Sequence, residues 1–223
     1  PVASFRVQRK GGKGVKSNDD AILDVVKTNT IDTMMFFTNK GKMYRTVVDN
    51  IPNGTNVSKG TMISDLVKLG NDEKVIAVSS LHRKTKPQYI IFITKNGMVK
   101  KSYLEEYTKT NRNTGIAALN VKDDDEVVDI IFQDEEDMIL ITKDGMSIRF
   151  ETKAVNPIGR IGMGVKGIKL VEGDEVIAGL PIHKTSDQVA VFTSAGIGKK
   201  VELKEFPSQT RGGKGTVIYK PSA

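Results

Sequence analysis

Four times along this chain an apolar run ends in threonine and is followed, after two intervening residues, by glycine: MMFFTNKG (34–41), IIFITKNG (90–97), MILITKDG (138–145) and VAVFTSAG (189–196). The glycines, Gly41, Gly97, Gly145 and Gly196, are 56, 48 and 51 residues apart, an internal repeat of about fifty residues. Each copy continues into a short second run: Met43 to Val47, Met98 to Tyr103, Met146 to Phe150 and Ile197 to Val201. Two runs joined by a polar turn containing glycine form an antiparallel hairpin. A fold for this chain must therefore be built by repeating one hairpin unit.

A second landmark keeps step with the hairpins, a Lys-Gly pair or its remnant: Lys13-Gly14, Lys59-Gly60, Thr114-Gly115, Lys166-Gly167 and Lys214-Gly215. Beyond each such loop except the last comes a further apolar run preceded by acid, as in Val75 to Val78 after Asp72-Glu73, Val127 to Ile131 after Asp125-Glu126 and Val176 to Leu180 after Asp174-Glu175. Ala21 to Val26 follows Asp19-Asp20 in the same way, and shorter β-type runs such as Ile116 to Val121 and Val165 to Leu170 lie between loop and acid pair. Each repeat thus holds about four strands, and no window carries a helical period longer than two turns. Such units in series fit radial blades better than a sandwich, because neighbouring blades bury each other's apolar faces. The expected fold is all-β, a propeller-like disc in which residues 1–223 form a single domain. Four full periods plus flanks are present; either the two ends complete one blade together, giving five, or the chain is part of a longer protein.

With 34 basic and 27 acidic residues the net charge is +7, and it is segregated. Residues 122–137 hold nine acids against Lys122, a local −8, which leaves +15 on the remainder. Basic surface facing a polyanion, with acidic loops kept elsewhere, is the expected arrangement. Four residues after each hairpin glycine comes a cation, Arg45, Lys101, Arg149 and Lys200. A fixed position in a repeated strand places these four at equivalent points on every blade, which predicts a periodic positive stripe. The richest Lys-Gly loop is QRKGGKG (8–14), with Arg9, Lys10 and Lys13 among Gly11, Gly12 and Gly14, and its spacing recurs as QTRGGKG (209–215) with Arg211 and Lys214. Glycines let backbone N–H groups approach a ligand while the cations supply charge, so such a loop suits a phosphate surface. It is not a nucleotide P-loop, because Val7 stands where the first glycine of that motif belongs and Gly14 follows Lys13. Lysine is missing from the third copy, where Arg112 and Lys109 compensate in part.

Other functions are poorly served. There is no cysteine, hence no disulfide framework and no thiolate metal site, which fits a reducing compartment. His82 and His183 are 101 positions apart and read as surface residues. The acid pairs sit at repeat-equivalent places, as solvated loops do, without a His-based nucleophile pair or metal-ligand spacing beside them. No apolar run reaches the ~18 residues of a membrane span, so a soluble, cytoplasmic protein is expected. A protein-binding propeller is the alternative that the fold alone allows, but repeated lysines do not suit an interface core.

The box QRKGGKG closely resembles the signature of the C-terminal domain of the DNA gyrase A subunit, usually written QRRGGKG, with Lys10 replacing arginine. The remaining repeats look like the same domain in collinear order: KGTMISDLVKL with NDEKVIAV, ITKNGMVKKSYLEEY, GIAALNV with DDEVVDI, ITKDGMSIRF, and GRIGMGVKGIKL with EGDEVIAG. The resemblance implies a β-pinwheel of about five to six four-stranded blades that exchange strands, with duplex DNA wrapped around a basic rim. It implies DNA contacts from Gln8 through Gly14, from the column Arg45, Lys101, Arg149 and Lys200, and from Lys59, Arg112, Arg160, Lys166, Arg211 and Lys214. Its implied partners are duplex DNA, the remainder of a topoisomerase A subunit and the ATPase B subunit in a bacterial, nucleoid-associated enzyme that introduces negative supercoils. ATP and Mg would belong to that holoenzyme; the chain itself is expected to carry no cofactor, no metal and no catalytic residue. The paralogous topoisomerase IV A subunit, used for substrate selection in decatenation and relaxation, is the alternative within the same family, with a box that is usually degraded or absent.

Overall fold

The computed structural model describes residues 25–55, 58–81, 88–109, 114–122, 124–134, 136–183 and 185–220. The first repeat contributes β1 (Thr33–Thr38), β2 (Lys42–Val47), the helical turn α1 (Ile63–Leu66) and β3 (Val75–Leu81). The second contributes β4 (Tyr89–Thr94), β5 (Met98–Tyr103), α2 (Glu105–Thr108), β6 (Ile116–Ala117) and β7 (Val127–Gln133). The third holds β8 (Asp137–Thr142), β9 (Met146–Glu151), β10 (Val165–Lys166) and β11 (Val176–Ile182), and the fourth β12 (Gln188–Phe192), β13 (Gly198–Glu202) and β14 (Thr216–Val217).

The Thr-x-x-Gly signature is the hairpin turn itself. Thr38, Thr94, Thr142 and Thr193 each accept the glycine N–H on their carbonyl at 3.0–3.1 Å. Their hydroxyls accept the next N–H, of Lys42, Met98, Met146 and Ile197, at 3.0–3.3 Å. The glycines stand at φ 70 to 82°, where a side chain is strained. Once the turn is made, each glycine carbonyl has a second use. Gly41 accepts Ala118 N–H, Gly97 accepts Gly167 N–H and Gly145 accepts Ile218 N–H, at 2.8–2.9 Å, so each hairpin tip seats the chain of the following repeat.

That seating produces strand exchange. The three complete sheets run β3-β1-β2-β6, β7-β4-β5-β10 and β11-β8-β9-β14. All pairings are antiparallel, and the two-residue strand at one edge comes from the next repeat. β12 and β13 form a two-stranded sheet. Among the described residues there are accordingly three four-stranded blades and one hairpin, against the five to six blades expected, because a blade is complete only when both its own return strand and a donated strand are present. The return strands pack in series, β3 against β7 and β7 against β11, and so line the centre. The donated strands β6, β10 and β14 occupy the opposite edge, which makes them and the loops feeding them the rim.

The core lies between blades. β4 is buried along all six residues. Its Ile90 and Phe92 pack with Met35, Phe37 and Tyr107 toward the first blade, while Ile91 and Ile93 pack with Met138, Leu140 and Ile148 toward the third. Ile139 and Ile218 meet Val189 and Phe206 between the third hairpin and the fourth. An alternating strand buried on both faces fills two interfaces at once. Gly196, whose three counterparts each lie close against the following repeat, has nothing within 4 Å of where its Cβ would be.

Candidate nucleic-acid interface

The hairpin cations do not form a uniform stripe facing solvent. Lys101 is 2 % exposed; its ammonium donates to the Thr152 carbonyl at 2.9 Å and lies 4.6 Å from the centre of the Tyr89 ring. Arg45 donates to the Thr108 carbonyl at 2.8 Å, and Arg149 contacts the Phe206 carbonyl at 3.4 Å while pairing with Asp137 at 2.7 Å. In each case the acceptor is the end of a helical turn in the next repeat: α2, the 3-10 turn Thr152–Ala154, and the residue after the 3-10 turn Leu203–Glu205. The column joins blade to blade, which corrects the expectation of a phosphate-facing row for Lys101. Lys200, the fourth member, is exposed.

Lys100, beside Lys101 on the opposite strand face, is also buried and donates to the carbonyls of Ala118 (2.7 Å) and Arg160 and to the Tyr107 hydroxyl (3.1 Å). Burial, with the nearby charge of Arg160, pulls it from the usual lysine value of 10.5 to about 7. Sequence reasoning missed this residue as a brace of the rim loop, although two adjacent lysines on a strand covered on both faces could not both reach water.

The acid pairs also depart from the solvated loops expected. Asp125 accepts the N–H of Asn96 and of Glu126 at 2.9 Å each; Asp174 accepts those of Asp144 (3.1 Å) and Glu175 (2.8 Å), and both aspartates are buried. Glu126 pairs with Lys40, and Glu175 with Lys95 and Lys143, so the carboxylates tie together hairpin tips of neighbouring blades. The lysines of the turns are thereby neutralised. His183 is exposed with Nδ1 2.6 Å from Glu136.

The rim is different. Lys59, Lys166, Lys200 and Lys214 are exposed, and none of them is in an ion pair among the described residues. The 209–215 loop lies along the preceding rim loop: Gly212 N–H donates to Gly167 O at 2.6 Å, Lys169 N–H to Gly213 O at 2.8 Å, and Arg211 to the carbonyls of Ala154 (3.0 Å) and Lys166 (3.3 Å). These two successive loops thus form one ledge carrying cations. Gly215 and Gly164, at φ 78 and 86°, press against the carbonyls of Ser147 and Val99, equivalent residues of β9 and β5. Gly164 is therefore the structural partner of Gly215, and the third-repeat landmark is Met163-Gly164. The pair Lys166-Gly167 lies three residues further on, with Lys166 inside β10; two glycine pairs in one loop had made the register ambiguous. Arg160 heads the same loop, half-buried. Gln8 to Gly14, Arg112 and His82 lie outside the described residues. Among the described residues no cluster of His, Asp or Glu could hold a metal ion, and no helix is long and apolar enough to cross a membrane.

A family model described as "DNA gyrase C-terminal domain, beta-propeller" matches residues 1–29, 32–82, 88–134, 136–183 and 187–220. The DNA gyrase A subunit of Staphylococcus epidermidis is 37 % identical over 225 residues, covering 96 % of this chain and 25 % of that protein. Its counterpart in Lawsonia intracellularis is 35 % identical over 226 residues, covering 98 % and 27 %. The chain thus spans about a quarter of these relatives. Among solved structures, a DNA topoisomerase IV C-terminal domain superposes with a TM-score of 0.82 at 32 % identity, covering 92 % of this chain and 64 % of the other. A DNA gyrase A C-terminal domain gives 0.74 at 26 %, covering 98 % and 72 %.

Proposed function

Because the chain belongs to the family of DNA gyrase C-terminal domains, we propose that it binds duplex DNA along its rim ledge and bends it around the disc. The observation that carries this reading is the sorting of charge. Carboxylates tie up Lys40, Lys95 and Lys143 at the hairpin tips, whereas Lys166 and Lys214 at the donated-strand edge, and Lys59 at the repeat-equivalent place in the sequence, stand without ion pairs among the described residues. Cations on successive repeats track a phosphate backbone without reading sequence, each contact releasing counterions. Bending 20 to 30 base pairs by 40 to 90° costs on the order of 1–6 kcal/mol, so several repeats must share the contacts.

In a whole gyrase such wrapping presents a second DNA segment for ATP-dependent strand passage and gives the enzyme its negative supercoiling. The rest of the A subunit, the B subunit, ATP and Mg belong to that assembly, in the bacterial cytoplasm, and this chain is its non-catalytic DNA-holding domain. The closer superposition on a topoisomerase IV domain supports a second reading, substrate selection in decatenation and relaxation. Dye-to-dye energy transfer across a short duplex tests the bending directly. Transfer rising on binding supports the proposal, and replacing Arg9, Lys10 and Lys13 together by alanine is expected to abolish the full bend while leaving weak low-salt binding. No rise in transfer, with or without the box, refutes wrapping. Fusing the chain to a matched catalytic core separates the two enzymes, since only the gyrase reading yields negative supercoils.

A further inference from the structure

Resting on the DNA-binding reading, we propose that the turn Gly159–Gly162 is a wedge, which places Ile161 against the base pairs of the duplex while Arg160 engages phosphate. Gly162 N–H donates to Gly159 O at 3.1 Å, so Arg160 and Ile161 are the two central residues of a tight turn at the rim. Ile161 is 73 % exposed and Met163, two residues on, 47 %. Single exposed apolar residues are ordinary, but this pair sits on a tip that is held from below at four points. Ile158 N–H donates to Lys101 O at 2.9 Å, Ser102 donates to Ile158 O at 2.7 Å, the buried Lys100 ammonium donates to the Arg160 carbonyl, and Gly164 presses on Val99. A tip anchored in this way loses little freedom when it inserts.

Charge defines the partner. Residues 152–171 contain Arg160, Lys166 and Lys169, besides Lys153 paired with Glu151 at 2.7 Å, and no acid; Arg211 of the next loop reaches back to Lys166 O. An apolar tip beside these cations fits a polyanion that has an apolar interior, and in a duplex that interior is the base stack. Proteins that bend DNA insert isoleucine, leucine or methionine between base steps for this purpose. At the matching place of the fourth repeat stands Gly212, at φ 79°, beside Arg211, so there a turn keeps the cation and omits the wedge.

The chain contains no tryptophan, so Ile161→Trp installs a unique reporter. On binding a 40-base-pair duplex its emission is expected to be quenched and shielded from acrylamide, whereas Ile177→Trp, exposed on the central return strand β11, stays accessible. Ile161→Ala is expected to lower the bent population about tenfold, the order that an apolar side chain of this size contributes on burial, with low-salt binding retained. Indole that stays fully open to acrylamide in a bound and bent complex overturns the wedge and leaves DNA wrapping standing. Loss of accessibility on anionic phospholipid vesicles, but not on DNA, overturns it in favour of a membrane contact. A parent chain that binds no duplex refutes the DNA reading itself along with the wedge.

Discussion

The Lys101 ammonium of the second blade lies 2.9 Å from the Thr152 carbonyl of the third. Removing a buried donor leaves its buried acceptor unsatisfied. Lys101→Ala is therefore expected to lower unfolding stability by about 1–3 kcal/mol in urea titration, with the salt dependence of DNA binding unchanged.

Lys200 occupies the same repeat position but is exposed. Lys200→Ala is expected to leave the urea midpoint in place and to reduce the slope of log K against log salt by about one. The reverse pattern in the two variants would return the hairpin column to the DNA surface.

The rim lysines make a cumulative test. Lys59→Ala with Lys214→Ala is expected to take about two units from the same slope, near −0.9 per contact, and to weaken binding to every duplex alike. A slope equal to the parent's would remove the rim from the interface.

Gly145 and Gly196 share the turn and a φ of 82 and 80°, yet only Gly145 has the next repeat, at Tyr219 O, pressed against it. Gly196→Ala meets backbone strain alone, about 1–2 kcal/mol. Gly145→Ala must also push Tyr219 away, and about 2–4 kcal/mol is expected. Denaturant midpoints of the two variants measure the difference.

Lys100 gives a pH signature. The unfolded chain keeps this proton up to pH 10.5, whereas the folded chain releases it near about 7. Between those values the unfolded state binds more protons, so the group's contribution to stability rises with pH, and it is flat below and above. Lys100→Met is expected to lack that rise; parallel stability-pH curves for parent and variant across pH 6 to 10.5 would refute it.

Hairpins, repeat length and return strands were legible because each rests on local chemistry: a threonine that caps its own turn, a glycine at positive φ, an apolar run in register. The donated strands were legible as the short β-type runs from Ile116 and Val165, but their pairing was not, since it is decided by a glycine carbonyl of another repeat, as Gly97 decides for Gly167. The cation column was legible as a repeat and misread in purpose at Lys101. A residue recurs once per blade equally well to hold a neighbouring blade or to face a ligand, and Lys101 holds a blade. The clue was present in Lys100-Lys101-Ser102, three consecutive polar residues on a strand sandwiched by blades on both sides. The exposed lysines, Lys59 and Lys214 in loops and Lys166 in β10, were found by spacing alone, apart from the shift at Met163-Gly164.

A blade whose last strand is supplied by the repeat that follows cannot finish folding when its own residues have left the ribosome. The β4–β5 hairpin ends at Tyr103, but β10 begins only at Val165. At about 5–20 residues per second, the outer edge of that sheet waits roughly 3–12 s during synthesis for its partner. Throughout that interval each nascent hairpin presents an open edge, the very site at which two chains on neighbouring ribosomes could pair with each other. The one-repeat delay makes synthesis rate a determinant of yield, and a pause placed just after a hairpin is more hazardous than one placed just after a donated strand.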